Sequence, residues 1–246
     1  MAKVSDKTTL ATAVYQKLRM DIINGSFKPG EKLRIETIAA NYEVGSNAVR
    51  EALSRLSSER LVDRHEQRGF SVPSIALEEW RILVKTRCWL ETRALEESIN
   101  NRTAVWEEGI VVAFHRLSRY KSSGFPDDRP GWEDAHRSFH RALLSNCGSP
   151  WLLDFCDILA DHAARYVSIS NAYRTVPRDG TAEHEALMRV VIDGNSQDAC
   201  AALITHYTRT LQLIEHLFDG GVMTGNPGKT TDLPAIDPAE LLKLNF

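Results

Sequence analysis

Four of the eight histidines in this 246-residue chain fall where they could act together. His136 and His140 stand four apart, a spacing that puts two imidazoles on one helical face, here with Leu143 and Cys147. His184 shares a face with Leu187, Met188 and Val191, and His206 lies on the stripe Ala199, Leu203, Thr210, Leu213 and Leu217. A single histidine on an apolar face is ordinarily a core residue satisfied by one hydrogen bond. Four of them turned inward from three helices are harder to satisfy, because each buried imidazole needs polar partners. A divalent cation is an economical partner, since nitrogen ligands at i and i+4 can close on one ion. His65, His115, His162 and His216 lack this arrangement.

Two arginines, Arg87 and Arg165, could complete an effector site. Arg87 shares a helical face with Leu83 and Leu90, and Arg165 follows Ile158 and precedes Ile169 on a later helix. An arginine facing a helical core needs an anion, and a carboxylate can serve through a bidentate pair. That anion is either an effector or an internal glutamate such as Glu91 or Glu97. A hydrolytic enzyme built on the histidines would need a general base beside the ion, and only Asp134 and Glu183 adjoin them.

The chemistry of the first third of the chain differs. In the stretch 44–62, Val49, Ala52, Leu53 and Leu56 repeat at i, i+3, i+4 and i+7, the stripe of a helix packed on one side. Asn47, Arg50, Glu51, Ser54 and Ser58 gather on the open face, short polar groups and one long cation suited to phosphates and base edges in a major groove. Leu10, Val14, Leu18 and Ile22 predict a preceding helix that stops at Asn24-Gly25. Pro29-Gly30 marks a turn, and a short helix spans about 35–42. Only Glu43, Val44 and Gly45 then separate two short helices, a helix-turn-helix spacing. Downstream, Leu61-Val62, the polar turn 65–69 and Phe70-Ser71-Val72 predict a hairpin wing with Arg68 and Gly69 near its tip.

The rest of the chain reads as helices at about 77–99, 103–122, 132–146, 150–174, 181–193 and 196–218. They are broken by Asn100-Asn101, by Gly124 to Gly131, by Gly148-Ser149-Pro150, by Pro177 to Gly180 and by Gly194-Asn195. The expected fold is mainly α: a winged helix-turn-helix over 1–75, an antiparallel helix bundle over 76–219, and a loose tail over 220–246 in which PAELLKL is one candidate turn. Residues 1–75 hold 12 Lys and Arg against 9 Asp and Glu, and the remainder 18 against 24. This contrast fits a DNA-binding module joined to a partner that does not bind DNA. No apolar run is long enough to span a membrane. Lys3, Asp6 and Lys7 flank no signal-peptide core, and the four cysteines do not cluster, so a cytoplasmic protein with buried thiols is expected.

With INGSFKPGEKL at Ile23 to Leu33, VREALSRL at Val49 to Leu56 and RGFSV at Arg68 to Val72, the run from Leu10 to Val72 resembles the winged-helix domain of the GntR family of bacterial transcription regulators. The family usually places Ser and then a long side chain where this chain has Gly45 and Ser46, and Gly is an acceptable N-cap. A homodimer on two-fold symmetric operator DNA is expected, because one winged helix reads too few bases for useful specificity. Ser46, Asn47, Arg50 and Ser54 would lie in the major groove, Arg68 and Gly69 on the wing, and Arg34 at a phosphate. Residues 77–218, with KTRCWLE at Lys85 to Glu91, HRSFHRALL at His136 to Leu144 and EHEAL at Glu183 to Leu187, resemble the FCD effector domain of the FadR branch. In many members one Asp and three His hold a divalent metal. The three map to His140, His184 and His206, and the Asp position is His136. That exchange softens the donor set toward zinc or nickel. The wording around 136–166 is similar to the glutarate-responsive, CsiR-like repressors. The resemblance therefore implies a repressor released by a small carboxylic acid, for which Arg87 and Arg165 are the candidate contacts read from the helical faces. A regulator signalled by the metal itself is the alternative.

Overall fold

The computed structural model of the protein describes residues 9–120, 129–173 and 179–219. The expected tail from Gly220, with PAELLKL, lies outside these residues. The chain divides into two compact units between Ile75 and Ala76.

In the first unit, α1 (Leu10–Ile23) starts at Thr9, whose hydroxyl accepts from the Thr12 amide, and ends at Asn24, with Gly25 beyond it in the left-handed region at φ 75°. Helix α2 (Ile35–Tyr42) is closed by Glu43 at φ 55°, so the left-handed residue of the tight turn is the first of its three linking residues and not Gly45. Gly45 is extended and caps α3 (Ser46–Ser58) without a side chain, as the sequence anticipates. Helix α3 is shorter than the stretch 44–62, because Glu59 ends it and Leu61-Val62 turn into the core. Its Val49, Ala52, Leu53 and Leu56 are fully buried against Val14, Leu18, Ile22 and Ile38. Each valine, leucine or isoleucine among them contributes roughly 1.5–3 kcal/mol when fully removed from water.

The wing is a hairpin of β2 (Asp63–His65) and β3 (Gly69–Ser71), registered Asp63 to Ser71 and His65 to Gly69. Gln67 and Gly69 carry the positive φ values that close the turn. A third strand, β1 (Lys32–Leu33), pairs with the other edge of β3, giving the order β1-β3-β2. Two residues are too short for strand alternation to register in a sequence, so only the neighbouring Pro29-Gly30 turn was legible.

The second unit contains α4 (Leu77–Asn100), α5 (Ala104–Ser118), α6 (Arg129–Leu144), α7 (Pro150–Tyr173), α8 (Gly180–Asp193) and α9 (Ser196–Asp219). Helix α4 lies at the centre, packed on α9, α7 and α6, while α5 bridges α6 and α8. Trp80 of α4 stacks on Tyr166 of α7 with centroids 4.8 Å apart. Two boundaries depart from expectation. Helix α5 stops at Ser118 rather than near 122, and α6 begins at Arg129, so Pro130 and Gly131 belong to a first turn instead of a break. Proline is tolerated there because a first-turn amide has no helical partner.

Candidate metal centre and nucleic-acid interface

Helix α6 supplies His136 and His140, α8 supplies His184, and α9 supplies His206. One ring nitrogen from each lies within 4.8 Å of the others. The packing of α8 along α9 brings the His184 and His206 rings to 4.7 Å, and the i,i+4 repeat of α6 brings His136 and His140 to 4.6 Å. His140, His184 and His206 are buried, and His136 is half-buried with Trp132 stacked on it at 4.8 Å.

Nitrogen by nitrogen, this set fits a cation. His184 Nδ1 faces the carbonyl of Gly180, one turn earlier. A carbonyl only accepts, so Nδ1 carries the hydrogen and Nε2 keeps its lone pair. His140 Nε2 is buried without a hydrogen-bond partner, a condition that costs about 1–3 kcal/mol in a folded core. His206 Nδ1 lies 3.4 Å from Glu183 Oε2. Burial first, then the neighbouring His136, His206 and His184 and the Arg87 charge, hold the His140 imidazole well below the usual histidine range. A neutral imidazole is the ligating form.

Behind His140 stands a buried polar network. Arg87 Nε donates to Glu91 Oε1 at 2.7 Å, and Arg87 Nη2 donates to Tyr207 Oη at 2.9 Å. The guanidinium also covers the Tyr207 ring at 4.3 Å. Tyr207 donates its hydroxyl hydrogen to Glu91 Oε2, and His140 Nδ1 lies 3.3 Å from the same hydroxyl oxygen. Burial opposes the Arg87 charge, but Glu91 beside it more than compensates and raises its pKa. Burial, with Glu91, pushes the Tyr207 phenol well above its ordinary value despite the opposing Arg87 charge, so the hydroxyl keeps its hydrogen. Of the two internal partners weighed for Arg87, Glu91 takes the guanidinium and Glu97 pairs with Arg93 instead.

A cavity opens beside the cluster between α4, α6 and α7. Trp132, His136, Arg137, His140 and Arg141 form its α6 wall, and Arg87 and Glu91 its α4 wall. Cys156, Asp157 and small residues such as Ala160 and Ala163 line α7. Arg165 is buried on α7 but stands outside the lining of this cavity. Arg137 and Arg141 pair with Asp157, at 3.7 and 3.4 Å, and Arg137 pairs also with Asp161. The two candidate bases are poorly placed for hydrolysis. Asp134 is exposed on α6, and Glu183 is engaged with His206.

In the first unit, Ser46, Asn47, Arg50 and Ser54 are exposed along one face of α3. Arg34 is exposed at the start of α2, Arg68 is exposed in the wing turn, and Gly69 is half-buried at the start of β3. The wing also exposes Arg64 on β2, a cation the sequence reading passed over. On the bundle side that reading missed Trp132, Arg137, Arg141 and Tyr207. Trp132 was findable, since it stands four before His136. Tyr207 was not, because its position next to His206 places it off the histidine stripe.

Two family profiles match separate parts of the chain. The profile described as "Bacterial regulatory proteins, gntR family" matches residues 10–72, and that of the FCD domain matches residues 83–209. An "Uncharacterized HTH-type transcriptional regulator BphR" of Paraburkholderia xenovorans is 34% identical over 86% of this chain and 87% of its own length. The HTH-type transcriptional repressor GlaR of Escherichia coli is 29% identical, covering 84% of this chain and 96% of that one. Among solved structures, E. coli McbR/YncC superposes with a TM-score of 0.73 at 18% identity, over 85% of this chain and 99% of that one. A likeness at that identity shows the shared fold.

Proposed function

The chain belongs to the GntR family of bacterial regulatory proteins and carries an FCD domain, and from that membership we propose that it is a repressor released from operator DNA by a small carboxylic acid. The observation that carries the sensing half is the convergence of four imidazoles from three helices beside an arginine-bearing cavity. His136, His140, His184 and His206 would together hold one divalent cation, zinc or nickel given an all-imidazole donor set. When bound, that cation supplies a fixed positive charge for an effector carboxylate in a low-dielectric pocket. Arg137 and Arg141, and Arg87 behind them, offer guanidinium groups to a second carboxylate, so a short dicarboxylate such as glutarate suits the cavity better than a neutral sugar. Arg165, the other arginine expected to meet the effector, is buried on α7 outside the lining of the cavity and is not assigned to it.

In the reading half, Asn47, Arg50 and Ser54 of α3 would enter the major groove. Ser46 would lie at its edge, and Arg34, Arg68 and Gly69 would hold the backbone. A homodimer follows from the few bases one winged helix can read. The protein would work in the cytoplasm, where its operator lies. No reaction is assigned to the site, since Glu91 and Glu183 are both engaged.

The test uses the full chain, purified without a metal-affinity step, and DNA selected in vitro for binding. Elemental analysis is expected to find near one zinc or nickel per chain, falling sharply in His184→Ala. Glutarate is expected to release the selected DNA from wild type. A wild-type protein free of metal, or DNA retained at saturating glutarate, overturns the corresponding half of the proposal.

A further inference from the structure

We propose that Tyr207, backed by the buried Arg87–Glu91 pair, is a positioning residue that fixes the tautomer of His140 and so turns its Nε2 lone pair toward the other imidazoles. The inference rests on the reading of the cluster as a cation site, and it follows from counting hydrogens and lone pairs at one oxygen. The Tyr207 hydroxyl has one hydrogen and two lone pairs. Its hydrogen goes to Glu91, whose carboxylate is a stronger acceptor than a neutral imidazole nitrogen. One lone pair takes Arg87 Nη2–H at 2.9 Å. The remaining contact, with His140 Nδ1 at 3.3 Å, is then satisfied only if Nδ1 carries the hydrogen and donates it. The other ring nitrogen, Nε2, is left deprotonated, and it is the atom buried without a hydrogen-bond partner.

The network is built to keep that arrangement. Glu91 cannot turn to another donor easily, because Arg87 holds its Oε1 at 2.7 Å and both side chains are buried. Arg87 in turn lies over the Tyr207 ring, which fixes the phenol in place. His184 reaches the same end by a shorter route, with Nδ1 on the carbonyl of Gly180 in its own helix. For His140 the orienting group comes instead from α9 and α4. Outer partners of this kind typically alter metal affinity 10–100-fold when removed. Arg87 thereby acquires a role in addition to that of an effector contact. It holds the glutamate that holds the tyrosine that aims a ligand.

The experiment compares full-length wild type, Tyr207→Phe and His184→Ala. Zinc affinity, measured by competition with a chromophoric chelator, is expected to fall about 10–100-fold in Tyr207→Phe while its helical signal is unchanged. Long-range proton–nitrogen spectra of the metal-free wild type, with ¹⁵N-labelled histidine, are expected to show His140 hydrogenated at Nδ1. Tyr207→Phe is expected to mix the two tautomers, a change that loss of packing alone would not produce. A wild-type spectrum with the hydrogen on Nε2 overturns the proposal without any variant, which covers the case of a substitution that fails to fold. Unchanged zinc affinity and tautomer in a folded Tyr207→Phe protein overturn it as well. Absence of zinc binding in both wild type and His184→Ala sinks the cation site itself, and with it the premise of this inference.

Discussion

Cys156 lines the same cavity as His136 and His140, and a thiolate there would compete with imidazole for any cation. Burial first, helped by Glu91 and opposed by Arg87, pushes its thiol up to about 12. Burial likewise raises Cys88, the neighbour of Arg87, to about 12. At pH 8 only about one Cys156 side chain in 10⁴ is then ionised, against roughly a quarter for an unperturbed thiol. Native protein is therefore expected to resist iodoacetamide at Cys156 at pH 8, and urea-unfolded protein to react at once, as peptide mass spectrometry would show. The sign for stability is the same. Above about pH 8.5 the unfolded chain loses thiol protons that the folded chain keeps, so stability falls as pH rises. Rapid native alkylation of Cys156 would place a thiolate among the cavity's ligands and undo the all-imidazole reading.

At the level of elements, α3 carries the sharpest expectation. Its inner stripe is sealed into the core, whereas Arg50 is exposed on the opposite face. Arg50→Ala should leave the melting temperature nearly unchanged and weaken specific DNA binding by about 1–3 kcal/mol for each base pair it no longer reads. Affinity for the selected DNA that does not change at fixed salt would remove α3 from the reading role. The helices were legible because period and burial coincide in them. Val49 to Leu56 and Leu10 to Ile22 repeat where the core lies, and the i,i+4 histidines of α6 follow the same rule. What escaped had no period to detect. Strand β1 is two residues long, and the start of α6 is hidden behind Pro130 and Gly131. The Tyr207 network joins α9 to α4 across 116 residues of chain, and nothing local to either helix announces it.

For the molecule as a whole, the proposed release from DNA would be a coupling between two sites on separate compact units. An effector that loosens operator binding by a coupling of about 1–3 kcal/mol changes affinity roughly 5–150-fold. Linkage makes this reciprocal: bound operator should weaken glutarate binding by the same factor. Calorimetric titration of the acid into free protein and into the protein–DNA complex reads that ratio directly. Equal affinities in the two titrations would mean the acid does not regulate this protein. The division between Ile75 and Ala76 also bears on how such regulators descend. Every residue of the histidine cluster, its supporting network and the cavity is encoded after that boundary, and every residue proposed to face DNA before it. A single recombination in the codons between would carry an intact sensor to a different reader. One inherited signal could in that way be re-addressed to new genes in one event, where point substitution would have to rebuild α3 and the wing residue by residue.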